Sequence, residues 1–249
     1  MKNIQRLIHV FVLSCAFLMA TNVWAQNNVG SSLEAGSINT LVYSVAPDYR
    51  RCVFPLCGGY WLTPVNRVST HVPSLDEADA GVIIEPSPIY VASIEFAKLG
   101  LSSAQITEFK GLIGEGRALV SGVLSDFEWA YNTFDVQMLT ATGVWGSANN
   151  NAPVGSFLEV SSSGIVCITT PCPYYNAQQI NTFYSFLFHE LNFDRAELTS
   201  SQLLLAQSLV SKKSLILTGT RFVSQGVAGN GVGIAATQVF FPFPSKVLY

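Results

Sequence analysis

The sequence predicts an α+β protein of two pseudo-symmetric halves, with mostly antiparallel strands and one main helix in each half. Three observations predict it. Cys52-Val53-Phe54-Pro55-Leu56-Cys57 returns as Cys167-Ile168-Thr169-Thr170-Pro171-Cys172, and both segments read C-x4-C-x8-N, ending at Asn66 and Asn181. Ser102-Ser103-Ala104-Gln105 and Thr199-Ser200-Ser201-Gln202 are S/T-x-x-Q capping boxes, in which the hydroxyl accepts from an orphan helix N–H and the Gln reaches back. Each box heads an equivalent apolar stripe, Ile106, Phe109, Leu112 and Ile113 against Leu203, Ala206, Leu209 and Val210, spaced as one face of an amphipathic helix.

The elements follow in order from those landmarks. Thr40 to Val45 is rich in β-branched and aromatic residues and reads as a first strand, stopped by Ala46-Pro47-Asp48. The first Cys loop comes next, then a turn at Gly58-Gly59 and a strand from Tyr60 to Thr63, ended by Pro64. Residues 67–88 are irregular, with His71, an acidic cluster of Asp76, Glu77 and Asp79, and Pro86-Ser87-Pro88 around a short apolar segment. Ile89 to Phe96 alternates as a strand. The capped helix then leads to Ala118–Gly122 in the first half and to Leu215–Gly219 in the second, and the closing strands are Val136–Trp145 and Val232–Phe241. Each half therefore reads β-β-β-α-β-β.

The two copies are offset by 115 residues at the Cys loop (Cys52 to Cys167) and by 97 at the helix (Ser102 to Thr199). The shortfall is about the size of the irregular loop, which the second half lacks. The organisation expected is a first repeat at 38–145, a linker at 146–156 carrying Asn149-Asn150-Asn151, a second repeat at 157–242 and a tail at 243–249. A unit of this size is too long for a solenoid repeat, so two packed halves are expected.

The first residues are read apart from the fold. Lys2 and Arg6, the apolar run from Leu7 to Met19 and the small-x-small pattern Val23-Trp24-Ala25 make residues 1–25 a secretory signal peptide, cut near Ala25, with a flexible leader at 26–37. A lipoprotein cut before Cys15 is the rival, but it would fall inside the apolar core. The expected location is periplasmic or secreted. Removing Lys2 and Arg6 leaves 11 basic against 16 acidic residues, a net charge of −5 in place of −3. That acidic balance, with no basic run, excludes nucleic acid and anionic lipid as expected partners. No later stretch reaches about 18 uninterrupted apolar residues, so no transmembrane segment is expected in the mature chain.

Export governs the reading of the cysteines. Cys52, Cys57, Cys167 and Cys172 remain after cleavage, and an even count at a repeated spacing outside the cytoplasm argues disulfides. Three pairings are possible. Pairing within each copy is the simplest, because a proline in each loop, Pro55 or Pro171, helps fold it back, and closing so short a loop stabilises by roughly 2 kcal/mol. A four-thiolate zinc site is the alternative, disfavoured because C-x4-C is wider than the usual knuckle.

Chemistry-bearing constellations are sparse. His71 and His189 survive cleavage; His189-Glu190 has no second His at the spacing of a zinc helix, and it follows a strand-like run from Phe183 to Phe188. There is no G-x-S-x-G elbow and no phosphate-loop lysine. Gly229-Asn230-Gly231-Val232-Gly233 precedes a strand and reads as a hairpin turn. Asp76, Glu77, Asp79 and Glu85 lack the ligand order of a calcium loop and read as a solvated surface. The Phe240-Phe241-Pro242-Phe243-Pro244 end has too few alternating strands before it for a membrane barrel. Tyr60, Trp61, Tyr174 and Tyr175 flank the Cys loops, either as packing over the disulfides or as an interaction patch for a protein or glycan partner. No catalytic, metal or cofactor site is expected.

The segment from Arg51-Cys52 to Asn66, RCVFPLCGGYWLTPVN, resembles the opening motif of a family of exported bacterial proteins catalogued only as a domain of unknown function. Gly164 to Asn181 is similar to that family's later Cys-Pro segment. The resemblance implies export, disulfides and no particular reaction. It also implies a further cysteine pair, at places held here by His71 and Ile89, so the 67–88 loop lacks that staple. The function expected is that of a non-enzymatic, disulfide-stabilised structural or interaction module. The alternatives are a protease-inhibitor-like binder presenting a Cys loop such as Val53 to Leu56, and an unrecognised hydrolase using His71 or His189 with Glu190.

Overall fold

A computed structural model describes residues 40–67, 87–127, 136–245 and 248. The stretches expected as a signal peptide and a leader, and the loop segment carrying His71, Asp76, Glu77, Asp79 and Glu85, lie outside the described residues.

The same order of elements occurs twice. Strands Leu41–Pro47 (β1), Tyr60–Pro64 (β2) and Ile89–Glu95 (β3) precede helix Ser103–Gly114 (α1), which leads to Ala118–Asp126 (β4) and Gln137–Ser147 (β5). Strands Ser156–Ser162 (β6), Tyr175–Gln179 (β7), Ser185–Phe188 (β8) and Glu190–Asn192 (β9) precede helix Ser200–Lys212 (α2), which leads to Leu215–Gly226 (β10) and Gly229–Pro242 (β11). This is the mixed α+β fold of two similar, strand-rich halves that the sequence predicts.

Both capping boxes form. The Ser102 hydroxyl accepts the Gln105 N–H at 3.3 Å, and Gln105 Oε1 accepts the Ser102 N–H at 2.9 Å. The Thr199 and Gln202 pair repeats those contacts at the same distances. Each helix lays its apolar stripe on the sheet: Phe109, Leu112 and Ile113 are buried in α1, and Ala206 and Val210 in α2. A 3-10 turn precedes each helix, and it ends in a left-handed residue, Gly100 (φ 63°) in the first half and Glu197 (φ 49°) in the second.

Pairing closes each half into a barrel. In the first, β1 pairs antiparallel with β2 and β4, β2 with β3, and β4 with β5, and β3 pairs parallel with β5. The ring order 1-2-3-5-4-1 is the connectivity of a five-stranded Greek-key barrel of the OB type. The second half follows it, with β8 on β7 and β9 parallel to β11, so its third strand is split in two at His189. Alternating inward residues fill both barrels, and one apolar core runs through them, including Val45, Leu62, Val91 and Leu139 in one and Leu158, Val160, Leu217 and Ile234 in the other.

Several interlocking features join the halves. β5 and β11 pair antiparallel, with Phe241 opposite Gly146. Val65, Leu119, Ile180, Ile216 and Phe240 form a small second core drawn from both halves. Asn66 Nδ2 donates to the carbonyls of Phe157 and Ile180, while Asn181 Nδ2 donates to those of Val42 and Val65.

Two local expectations change. The hairpin turn expected at Gly229–Gly233 lies at Val227-Ala228, and Gly229 already opens β11. Gly231 and Gly233 lie within the strand because the His189 ring and the Phe222 ring lie across them; a Cβ there would sit 2.6 Å and 2.2 Å from ring carbons. Within the stretch expected as a tail, Phe243 packs 5.2 Å from the Phe109 ring and Leu248 is buried against Gly146. Burying these apolar side chains outweighs the freedom a tail would keep.

Candidate functional site

Each Cys loop connects the first and second strands of its barrel. In OB-type barrels that loop, with the one joining strands four and five, rims the end where binding surfaces are built. Both disulfides form within a copy, Cys52–Cys57 and Cys167–Cys172, each with Cα atoms 5.7 Å apart.

The first loop is braced by residues that flank it in sequence. Asp48, buried at the end of β1, accepts the Arg50 Nε–H at 3.0 Å on Oδ1 and the Arg50 Nη2–H at 3.0 Å on Oδ2. Its carboxylate also accepts the backbone N–H of Arg50 and of Gly58. These donors, led by the Arg50 side chain, hold the Asp48 pKa down at about 2 against the opposing effect of burial. The same guanidinium donates to Leu56 O at 3.0 Å and lies 4.8 Å above the Trp61 ring and 5.1 Å from that of Tyr90. Tyr90 in turn donates its hydroxyl to Pro55 O at 2.8 Å. Carboxylate, guanidinium and two rings thus grip the loop from within, and the side chains of Val53, Phe54 and Leu56 remain exposed on its outside. Phe54 meets Phe127, at the end of β4, edge-on at 5.9 Å.

The second loop is held differently. Ser163 Oγ donates to Pro173 O at 2.6 Å, and Thr170 O accepts the Ala228 N–H at 2.7 Å from the β10–β11 turn. A Cβ on Gly226 would come within 2.5 Å of Pro171 N, so loop and turn touch backbone to backbone.

The four aromatics flanking the loops divide between core and surface. Tyr60 and Tyr175 pack against the main core, Tyr175 stacked on Phe188 at 5.1 Å, and burial pushes both phenol pKa values up. Trp61 belongs to the Arg50 brace. Tyr174 is exposed and meets Tyr175 edge-on at 6.5 Å.

His189 serves the barrel. Its Nδ1 accepts the Val232 N–H at 2.9 Å and its own N–H donates to Val232 O at 2.8 Å, which carries the ladder across the break between β8 and β9. Glu190 instead accepts from Ser224 Oγ at 2.7 Å. Among the described residues, no group of three or more His, Cys, Asp or Glu could hold a metal ion. No described helix is long and apolar enough to cross a membrane.

Sequence reasoning missed Asp48, Arg50 and Tyr90. The signal for one of them was available: Pro47-Asp48-x-Arg50 just before Cys52 has the composition of an Asx turn, whose carboxylate caps the backbone two residues on. It also missed Arg221, which stacks 4.0 Å over Phe186 and donates to the Tyr184 hydroxyl at 2.8 Å.

No curated protein and no solved structure matches the chain. A family model covers nearly all of both barrels, from the start of β1 to just past β11, and takes in both Cys loops. The chain belongs to the family described as Domain of unknown function (DUF6748), whose model matches residues 41–246.

Proposed function

We propose that this protein is an exported, non-enzymatic interaction module that engages a protein partner through the first Cys loop. The observation that carries the reading is the brace of Asp48, Arg50, Trp61 and Tyr90, which spends a buried carboxylate and a stacked guanidinium on holding one exposed loop still. A loop fixed beforehand loses little conformational freedom on binding, so its apolar residues contribute more of their contact energy to affinity. The stretch at 1–25 supports export, and the disulfides suit an oxidising compartment. The shared element order and matching capping boxes support two repeats, at 38–145 and 157–242.

A photo-crosslinking residue at Val53, introduced in the exporting cell, is expected to capture a discrete partner that the same residue at exposed Lys110 does not. No adduct at Val53, or the same adducts at both positions, would reject the reading. Export is checked by fractionation: a chain beginning near Gln26 in the periplasm or medium is expected, and an uncut cytoplasmic chain with free thiols would contradict it.

The same brace favours a second reading, a protease inhibitor presenting Val53 to Leu56 as a convex, disulfide-closed loop. The purified chain would then inhibit at least one enzyme in a panel of serine and cysteine proteases, and a Val53→Asp variant would lose that inhibition. Inactivity against the whole panel eliminates it.

A further inference from the structure

The two Cys loops differ in the charge their own segments carry. The first has Asp48, Arg50 and Arg51 beside it. Around the second, the chain carries no Asp, Glu, Lys, Arg or His between Glu159 and His189, and none between Arg221 and Lys246. Those two uncharged runs supply the second Cys loop and the β10–β11 turn, which Thr170, Pro171, Gly226 and Ala228 bring into backbone contact. Among the side chains left outside, with Thr169, Thr170 and Gln225, are three solvated aliphatics: Ile168 has a relative exposure of 104%, Val227 of 97% and Val166 of 90%. Ile165 is exposed beside them, and so is the amphipathic ring of Tyr174.

A soluble surface seldom carries such residues together without an apolar environment to receive them. Protein-binding surfaces are enriched in arginine and large aromatics within a polar rim. The two segments of this tip carry exposed β-branched aliphatics and no Lys or Arg, with the His189 ring and the Glu190 carboxylate beside it at Gly231 and Ser224, and a tyrosine of the kind that sits at the boundary of a bilayer. The acidic balance of the chain, −3 overall, gives it no general attraction to anionic headgroups. We propose that the tip formed by the second Cys loop and the β10–β11 turn inserts into the apolar boundary of a neutral, zwitterionic lipid surface. Ile168, Val166 and Val227 enter the acyl layer and Tyr174 stays at headgroup level. The disulfide and the Thr170–Ala228 contact hold the tip in shape, so insertion requires no ordering of the loops. The contact is small, weak and reversible, as one short apolar anchor is.

The test is co-sedimentation of the disulfide-intact mature chain with phosphatidylcholine vesicles at low and high salt. The expected result is a bound fraction insensitive to salt, reduced about tenfold or more by Ile168→Asp or by Val227→Asp, because each exchanges buried aliphatic area for a charge. Val53→Asp, on the first loop, should leave vesicle binding unchanged, which separates this proposal from the protein-partner reading. Both tip residues are fully exposed, and thermal melts matching wild type would show that the variants are folded. The proposal is overturned if wild type does not sediment, or if the tip variants bind as well as wild type. It is also overturned if binding needs phosphatidylglycerol and disappears with salt. Concentration-dependent dimerisation that Ile168→Asp abolishes, without vesicle binding, would assign the tip to a second copy of the chain instead.

Discussion

Asn66 donates its side-chain amide to the carbonyl of Ile180, the residue just before Asn181, and Asn181 donates its own to Val65, the residue just before Asn66. The distances are 3.0 Å and 2.9 Å. Both asparagines hold left-handed backbone, φ 57° and 60°, which Asn tolerates better than other residues with a Cβ. Each side-chain oxygen also accepts a backbone N–H from the opposite half, of Phe157 for Asn66 and of Val42 for Asn181, both at 2.9 Å. The repeated Asn is therefore a reciprocal clasp between barrels.

Backbone and clasp can be separated by substitution. Asn66→Gly keeps the left-handed turn and removes the amide, leaving backbone groups of the other half unpaired, at about 1–3 kcal/mol. Asn66→Ala adds the steric cost of that backbone, about 1 kcal/mol more. Urea unfolding should rank the stabilities as wild type, then Gly, then Ala. Equal stability of wild type and the Gly variant would show that the clasp contributes nothing.

Asp48 should make stability depend on pH in a defined window. Its folded pKa, about 2, lies below the ordinary 3.8, so its contribution is full above the unfolded value and is lost as pH falls toward 2. Asp48→Asn should lower Tm at neutral pH, and the gap from wild type should close progressively below about pH 4. A gap that stays constant down to pH 2 would mean that the Asp48 charge is not what braces the loop.

Removing the His189 side chain should act on the fold. His189→Ala leaves the Val232 N–H without its acceptor at the break in the third strand of the second barrel, at about 1–3 kcal/mol. Hydrogen exchange at the Val232 amide should speed up in the variant. Unchanged exchange and stability would free His189 for another role.

Glu197 invites a stabilising change. It holds φ 49° where the first half has Gly100, and its carboxylate accepts a long, 3.4 Å contact from Asn151. Glu197→Gly relieves left-handed strain of about 1–2 kcal/mol and gives back part of it as unfolded-state entropy, for a net gain of about 0.5–1 kcal/mol. A rise in Tm is expected, and a fall would mean that the Asn151 contact outweighs the strain.

Much of this protein is written in local residues. Pairing within each Cys loop was the simplest of three possibilities, while both capping boxes and most of each helical stripe depend on contacts a few residues apart and were legible in the chain. The turn at Val227-Ala228 was not, because Gly231 and Gly233 resemble a turn until rings from other strands are known to lie across them. The buried ends of Phe243 and Leu248 were hidden for the same reason, since nothing near them in sequence shows what covers them.

The spacing of cysteine, proline and asparagine determined by itself where each loop and helix begins, because such signals act through the backbone of their own neighbourhood. Tertiary structure alone decided that five strands close on themselves, that each asparagine grips the opposite barrel, and that His189 completes a hydrogen-bond ladder. It also set one Cys loop under a paired Arg50 and packed the other against the β10–β11 turn. Each of these joins residues tens of positions apart, and pairings at that range become definite only once the core has packed.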